Sequence, residues 1–335
     1  MALAIMIVVA VLVALWAWEK AHRRTHAVSG GLHPEITLPH EAAFELHHNA
    51  LSLCSMKARF CLAELGIPYV GHHVHLIETG SYETLSRAFL RVNPAGTVPV
   101  LVHEGHPVYE SHEQIRYAAA HAPEGHPGLL PVDSEARAEV ERWVDATGIV
   151  GDPIEDMEHG VGNVIPPLTV PLFAAMIDDI AVGRILEGLL FHIDRRRPVV
   201  FLALKAFGLH GLPRMTPAMK LIARARREMA VHLDELEALL AERGGPWIMG
   251  ERFTLADVGW CAIFERLRQA CWVDLYLGDG KRPQCAAYWD RLRARPSYDA
   301  AIALHGHPSI ERGMQRLAEA KASDDRLRVA LDGTG

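Results

Sequence analysis

The sequence predicts a small α/β domain followed by an all-helical domain, both carried behind one apolar amino-terminal helix. Three observations predict it: a charge-free run at the amino end, alternating strand and helix patterns over residues 43–121, and the loss of strand signals after Pro131. At 335 residues the chain has room for about two domains of roughly 100–200 residues each. Half of it is hydrophobic and 22% is charged, which excludes a largely disordered protein. With 34 basic against 41 acidic side chains and no long basic run, nucleic acid is not expected as a partner. Five scattered cysteines without a CxxC pair offer neither a disulfide framework nor a zinc site, and suit a reducing compartment.

Ala2 to Trp18 is the charge-free run. As a helix rising 1.5 Å per residue it reaches about 25 Å, slightly short of the roughly 30 Å hydrocarbon core. Trp16 and Trp18 lie at its downstream edge, and Lys20, Arg23 and Arg24 follow. A cleaved signal peptide would carry positive charge before the apolar stretch and a small-x-small site after it, and this segment has neither. Residues 1–24 therefore read as an uncleaved, single-pass membrane anchor spanning 2–18, with its basic flank. The positive-inside rule then keeps the rest of the protein cytoplasmic. The alternative is a buried core helix. Residues 25–42, with Gly, Pro and Ser but no periodicity, read as a linker.

The α/β domain is expected over 43–122. AFELHH (43–48) is a strand, Ser55 to Gly66 a helix closed by glycine, Tyr69 to Leu76 a strand and Tyr82 to Arg91 a short helix. Residues 93–111 supply two strands joined at His103-Glu104-Gly105-His106, and Ser111 to His121 is helical. The order βαβ, α, ββα is of the thioredoxin kind. The helical domain is expected over 132–305. It includes Ser134 to Val150, an apolar seam of Ile222, Met229, Leu233, Leu236 and Leu240, and short helices near 283–294 and 297–304. Thr254 reads as an N-cap with Asp257 three on, and Phe253 with Val258 as a hydrophobic staple. Residues 306–335 form a polar tail. Within the domain, 152–213 is an insertion of odd composition. Three prolines break IPPLTVPLF (165–173), so it is not expected to span a membrane. Met176 to His192 is amphipathic. Arg195-Arg196-Arg197 beside the apolar Pro198 to Phe207 reads as a helical insertion packed on its own domain, or as contact with an anionic membrane surface.

Four segments, in order and correctly spaced, resemble the soluble glutathione transferase superfamily over about 43–305. They are Ser52-Leu53-Cys54-Ser55-Met56-Lys57-Ala58-Arg59, Asn93-Pro94-Ala95-Gly96-Thr97-Val98-Pro99-Val100-Leu101, Glu110-Ser111, and Phe253 to Val258. The resemblance implies glutathione as co-substrate on the thioredoxin-like domain, with the helical domain shaping a pocket for a small apolar electrophile. A homodimer is common in that superfamily, though the sequence does not fix one here. Val98-Pro99 stands at the mouth of a strand, where a cis proline holds the backbone open for pairing with a peptide-like ligand. The alternative is an ordinary turn proline. Ser111 opens a helix whose free N–H groups suit the γ-glutamyl carboxylate, and Glu110 would pair with the ligand's ammonium group. Alternatively Ser111 only caps the helix.

Ser52 matches the position where family members place a catalytic Ser or Cys. A hydroxyl there donates to the sulfur of glutathione, and thiol pKa values fall from about 8.5 toward roughly 3.5–7.5 at helix amino ends. Its alternative role is a plain cap. Cys54 is the minor candidate: a packed thiol, or the nucleophile of mixed-disulfide chemistry. Pro246 to Glu251 and Gly278 to Pro283 resemble the ganglioside-induced differentiation-associated subfamily, to which the chain is expected to be nearest. That group has its membrane helix at the carboxyl end and a more charged insertion. The competing readings are a non-catalytic glutathione-sensing or membrane-adaptor protein, and a thiol reductase working through Cys54. No metal is expected. Neighbours such as His47-His48 or His72-His73 on a strand point to opposite faces, and His73 with His75 lacks a spaced Cys or carboxylate.

Overall fold

The computed structural model describes residues 1–333. Ala2–Arg23 forms helix α1, exposed along its apolar length. Its last turns are tied to the body. Arg23 Nε donates to the Leu85 carbonyl at 2.9 Å and its guanidinium pairs with Glu187. Arg87 pairs with Glu19 and lies 3.9 Å over the Trp18 ring.

Strands β1 (Gly31–Leu32), β2 (Phe44–His48), β3 (Val70–His73), β4 (Val100–His103) and β5 (His106–Tyr109) form one sheet in the order β1-β5-β4-β2-β3. Only β2 and β3 pair in parallel. Val100, Leu101 and Val102 are all buried, because β4 lies inside the sheet with both faces covered. Helices α2 (Leu53–Leu65), α3 (Arg87–Val92) and α4 (Ser111–Ala120) complete a thioredoxin-like domain. Ser52 starts α2, and Gly66 in the left-handed region (φ 65°) ends it by donating to the Ala63 carbonyl. Two expectations are corrected here. The helix expected over 82–91 is interrupted, because extended Ser86 caps α3 by accepting from the Phe89 N–H at 3.1 Å. The linker also contributes β1, whose Gly31 and Leu32 pair with Tyr109 and Val108.

The helical domain comprises α5 (Ser134–Ala146), α6 (Val161–Met176), α7 (Val182–Phe191), α8 (Arg196–Gly211), α9 (Thr216–Arg243), α10 (Leu255–Gln269), α11 (Val273–Leu277), α12 (Pro283–Arg293), α13 (Pro296–Ala301), α14 (Pro308–Ser323) and α15 (Asp325–Asp332). The expected α9 seam is buried in full. Asp257 organises the head of α10: Oδ2 accepts from the Thr254 N–H at 2.8 Å, and Oδ1 from the Ile248 N–H and the Tyr288 hydroxyl. Burial pushes its carboxyl up to about 6. Gly259 lets α10 approach α5, since a Cβ there would collide with Thr147.

The reading of 165–173 as a segment broken by prolines is corrected. Pro166, Pro167 and Pro171 all lie inside the single helix α6. An interior proline costs about 3 kcal/mol, but α6 buries Val164, Ile165, Leu168 and Leu172 against its neighbours at roughly 1.5–3 kcal/mol each. The insertion packs on its own domain, with Pro198, Phe201 and Leu204 of α8 buried. The tail is helical too, with Ile310 and Leu317 of α14 buried and the helix packed on α6. Two buried cations of α2 join the domains: Lys57 Nζ donates to the Thr147 carbonyl at 3.0 Å, and Arg59 Nε to that of Ala301 at 2.6 Å.

Candidate active site

Ser52 stands at the head of α2 with its Oγ accepting from the Ser55 N–H at 3.2 Å and donating to the Val98 carbonyl at 3.3 Å. It is therefore a helix cap and a link to the opposite loop at once. That loop is stitched by Asn93, whose Nδ2 donates to the Thr97 carbonyl at 2.8 Å and whose Oδ1 accepts from the Ala95 N–H. Gly96 takes φ 67°, and a Cβ there would also collide with Thr25, so glycine is required. The Val98-Pro99 peptide is cis. Pro99 is buried, and Gln114 of α4 donates to its carbonyl and to that of Val108, both at 2.9 Å.

A cavity of about 390 Å³ opens beside Ser52. Ser52, Cys54 and Val98 line it from the thioredoxin-like domain, and α6, α8 and α10 close it from the other side. Cys54 is half-buried on the same wall as Ser52. Glu110 and Ser111 do not line this cavity. They lie at the head of α4, where Ser111 is buried and Glu110 is exposed with a left-handed φ of 64°. Such backbone strain costs on the order of 1–3 kcal/mol and collects at functional sites. The structure thus brings Ser52, Cys54 and Val98 together around one cavity, and leaves Glu110 and Ser111 beside it.

Sequence reasoning missed Thr84 and Arg266, and it read Arg197 only as part of the basic cluster 195–197; all three stand on the cavity wall. Arg197 pairs with the buried Glu78 and lies 5.5 Å from the Phe173 ring. Arg266 sits among Glu265, Arg268 and Gln269 in the last turn of α10, where an arginine reads as ordinary helix-end charge.

The expectation about histidines is corrected in one respect. The parallel register sets His72 opposite His47, with rings 4.6 Å apart, and so adds a histidine from β3 to Glu45 and His47, which share a face of β2. Glu45 Oε2 accepts from His72 Nε2 at 2.7 Å, and the three side chains offer atoms within 4.8 Å of one another. Burial, followed by the neighbouring His72, lowers His47 to about 4. The group lies outside the cavity lining.

Residues 51–121 match the model of the glutathione S-transferase amino-terminal domain, and residues 219–300 that of its carboxy-terminal domain. The two matches fall in order on the thioredoxin-like and the helical domain of this chain. It is 28% identical over 316 residues to a 2,5-dichlorohydroquinone reductive dechlorinase of Sphingobium indicum, covering 84% of this chain and 88% of that one. The crystal structure of the β-etherase LigF from Sphingobium sp. strain SYK-6 shares the fold, with a TM-score of 0.63 at 21% identity, over 78% of this chain and all of LigF. The human ganglioside-induced differentiation-associated protein 1-like 1 is 26% identical over 278 residues, 75% of this chain and 71% of that protein. The expectation that this subfamily is nearest is corrected, because the dechlorinase aligns at higher identity over a longer stretch.

Proposed function

We propose that this protein is a membrane-tethered glutathione transferase that joins the glutathione thiolate to an apolar electrophile. The observation that carries the reading is Ser52. Its hydroxyl sits at the amino end of α2 on the wall of a largely apolar cavity, where a sulfur atom would meet both the hydroxyl and the helix-terminal N–H groups. In this reading Val98 pairs with the peptide backbone of glutathione, Pro99 sets the loop, and Glu110 and Ser111 hold its γ-glutamyl end. The helical domain receives the electrophile. The unpartnered apolar surface of α1 and its basic end support a single-pass anchor with a cytoplasmic body.

A second reading is favoured by a specific observation. Cys54 shares the wall with Ser52, and the dechlorinase relative is named for a reductive reaction. In that reading the thiols of Cys54 and glutathione are oxidised to a mixed disulfide, their two electrons reduce the substrate, and a second glutathione frees Cys54 by leaving as glutathione disulfide. Turnover of an aryl electrophile by wild type, Ser52→Ala and Cys54→Ala separates the two. Loss in Ser52→Ala alone supports conjugation, and loss in Cys54→Ala alone supports thiol exchange. Absence of turnover in wild type leaves the protein a glutathione-binding module.

A further inference from the structure

We infer that the cavity takes an electrophile whose aromatic ring carries an anionic oxygen, a carboxylate or phenolate, and that Arg266 receives that oxygen. The inference rests on the reading of this cavity as the electrophile site. Arg266 enters from α10 and is only 4% exposed. Its Nη2 donates to the Leu51 carbonyl and its Nη1 reaches Thr169 Oγ1 at 3.4 Å, but its Nε meets no acceptor.

The surrounding charges are already matched. Arg196 pairs with Asp152 and Asp194, Arg197 with Glu78, and Glu265 with Arg268. Arg266 makes no ion pair among the described residues, so the cavity wall keeps one uncompensated positive charge. Burial lowers this guanidinium only to about 10, so it stays charged at neutral pH. Thr84, 1% exposed, lines the same cavity with a second hydroxyl that has no partner. Buried polar groups left unpaired are unfavourable, and a ligand oxygen that reached either would relieve that cost. Most of the remaining wall is apolar, with Ile165, Val170, Phe173, Val200 and Phe201, and its charged members Asp194, Arg196 and Arg197 are paired. One unpaired cation and one unpartnered hydroxyl in a largely apolar cavity fit a flat ring bearing a single charged oxygen. A cationic ring would be repelled.

The test is calorimetric binding to the full chain in detergent at neutral pH, without glutathione. The probes are 4-chlorobenzoate, 2,4,6-trichlorophenolate and the neutral 4-chlorobenzamide. Wild type is expected to bind at least one anion about tenfold or more tightly than the amide, the size of one charge-assisted hydrogen bond, and the two anions tell carboxylate from phenolate. Arg266→Met should erase the preference and Arg266→Lys should keep most of it. Thr84→Val, which leaves the charge in place, should weaken the anion a few-fold and the amide little. The inference is overturned if wild type binds amide and anions alike, or if a cooperatively folded Arg266→Met weakens all three equally. Should Arg266→Met fail to fold, the wild-type comparison with Arg266→Lys and Thr84→Val still decides. An anion preference without glutathione turnover would sink the transferase reading alone, and turnover without the preference would sink this inference alone.

Discussion

Replacing Ser52 by alanine deletes one oxygen that serves both scaffold and chemistry. As a cap it accepts from the Ser55 N–H at 3.2 Å, and losing an N-cap costs about 0.5–2 kcal/mol. In a domain of this size each kcal/mol lowers the melting temperature by roughly 2–4 °C, so a drop of a few degrees is expected. As a thiolate partner, the hydroxyl turns from the Val98 carbonyl, 3.3 Å away, to the sulfur of glutathione. A hydrogen bond to a charged group is worth about 1.5–3 kcal/mol. At about 1.36 kcal/mol per pKa unit, the bound thiol should titrate roughly one to two units higher in Ser52→Ala. Conjugation of an aryl electrophile at neutral pH should then fall about tenfold or more, and raising the pH should restore part of it. Ser52→Thr keeps both roles and should keep most of the rate, while Cys54→Ala should leave conjugation nearly intact. The assay is the conjugation rate across pH, beside a thermal melt of each variant. A melt lowered as expected, with an unchanged rate and pH profile, would refute the reasoning and leave Ser52 as a cap.

Glu110→Ala combined with Ser111→Ala should abolish retention on immobilised glutathione while the melt stays cooperative; unchanged retention would reduce the pair to the start of α4. Deleting residues 1–24 should move the protein from the membrane fraction to the soluble fraction, and a deletion that still sediments with membranes would count against the anchor. Acid should destabilise the fold through His48, which is lowered to about 2 by burial and then by Arg59, whose Nη1 lies 3.2 Å from its Nδ1. The unfolded state binds this proton first, so stability present above about pH 6.5 is lost as pH falls, by up to about 1.4 kcal/mol per unit. His48→Gln retains an acceptor for Arg59 and should flatten part of that slope in denaturant titrations at pH 7 and pH 5; equal slopes would remove His48 from the account.

What could be read from the sequence was local. The caps formed by Ser52, Gly66 and Asp257 each join backbone groups within a few residues, so that part of their chemistry is written into the spacing. The α9 seam is legible for the same reason, since one helix face repeats along the chain. The NPAGTVP segment also explains itself, with Asn93 bonding inside its own loop.

Tertiary structure decided what depends on contacts between distant segments. The prolines of α6 argue locally against a helix, and only burial against its neighbours overrides them. Glu45, His47 and His72 meet because β2 and β3 pair in one register, which no spacing along a single strand encodes. The cavity is assembled from residues as far apart as Leu51 and Arg266, and the uncompensated charge of Arg266 exists only after folding has matched each neighbouring arginine to a carboxylate. A side chain's type is fixed by sequence. Whether it is buried, and what it faces there, is set by long-range packing.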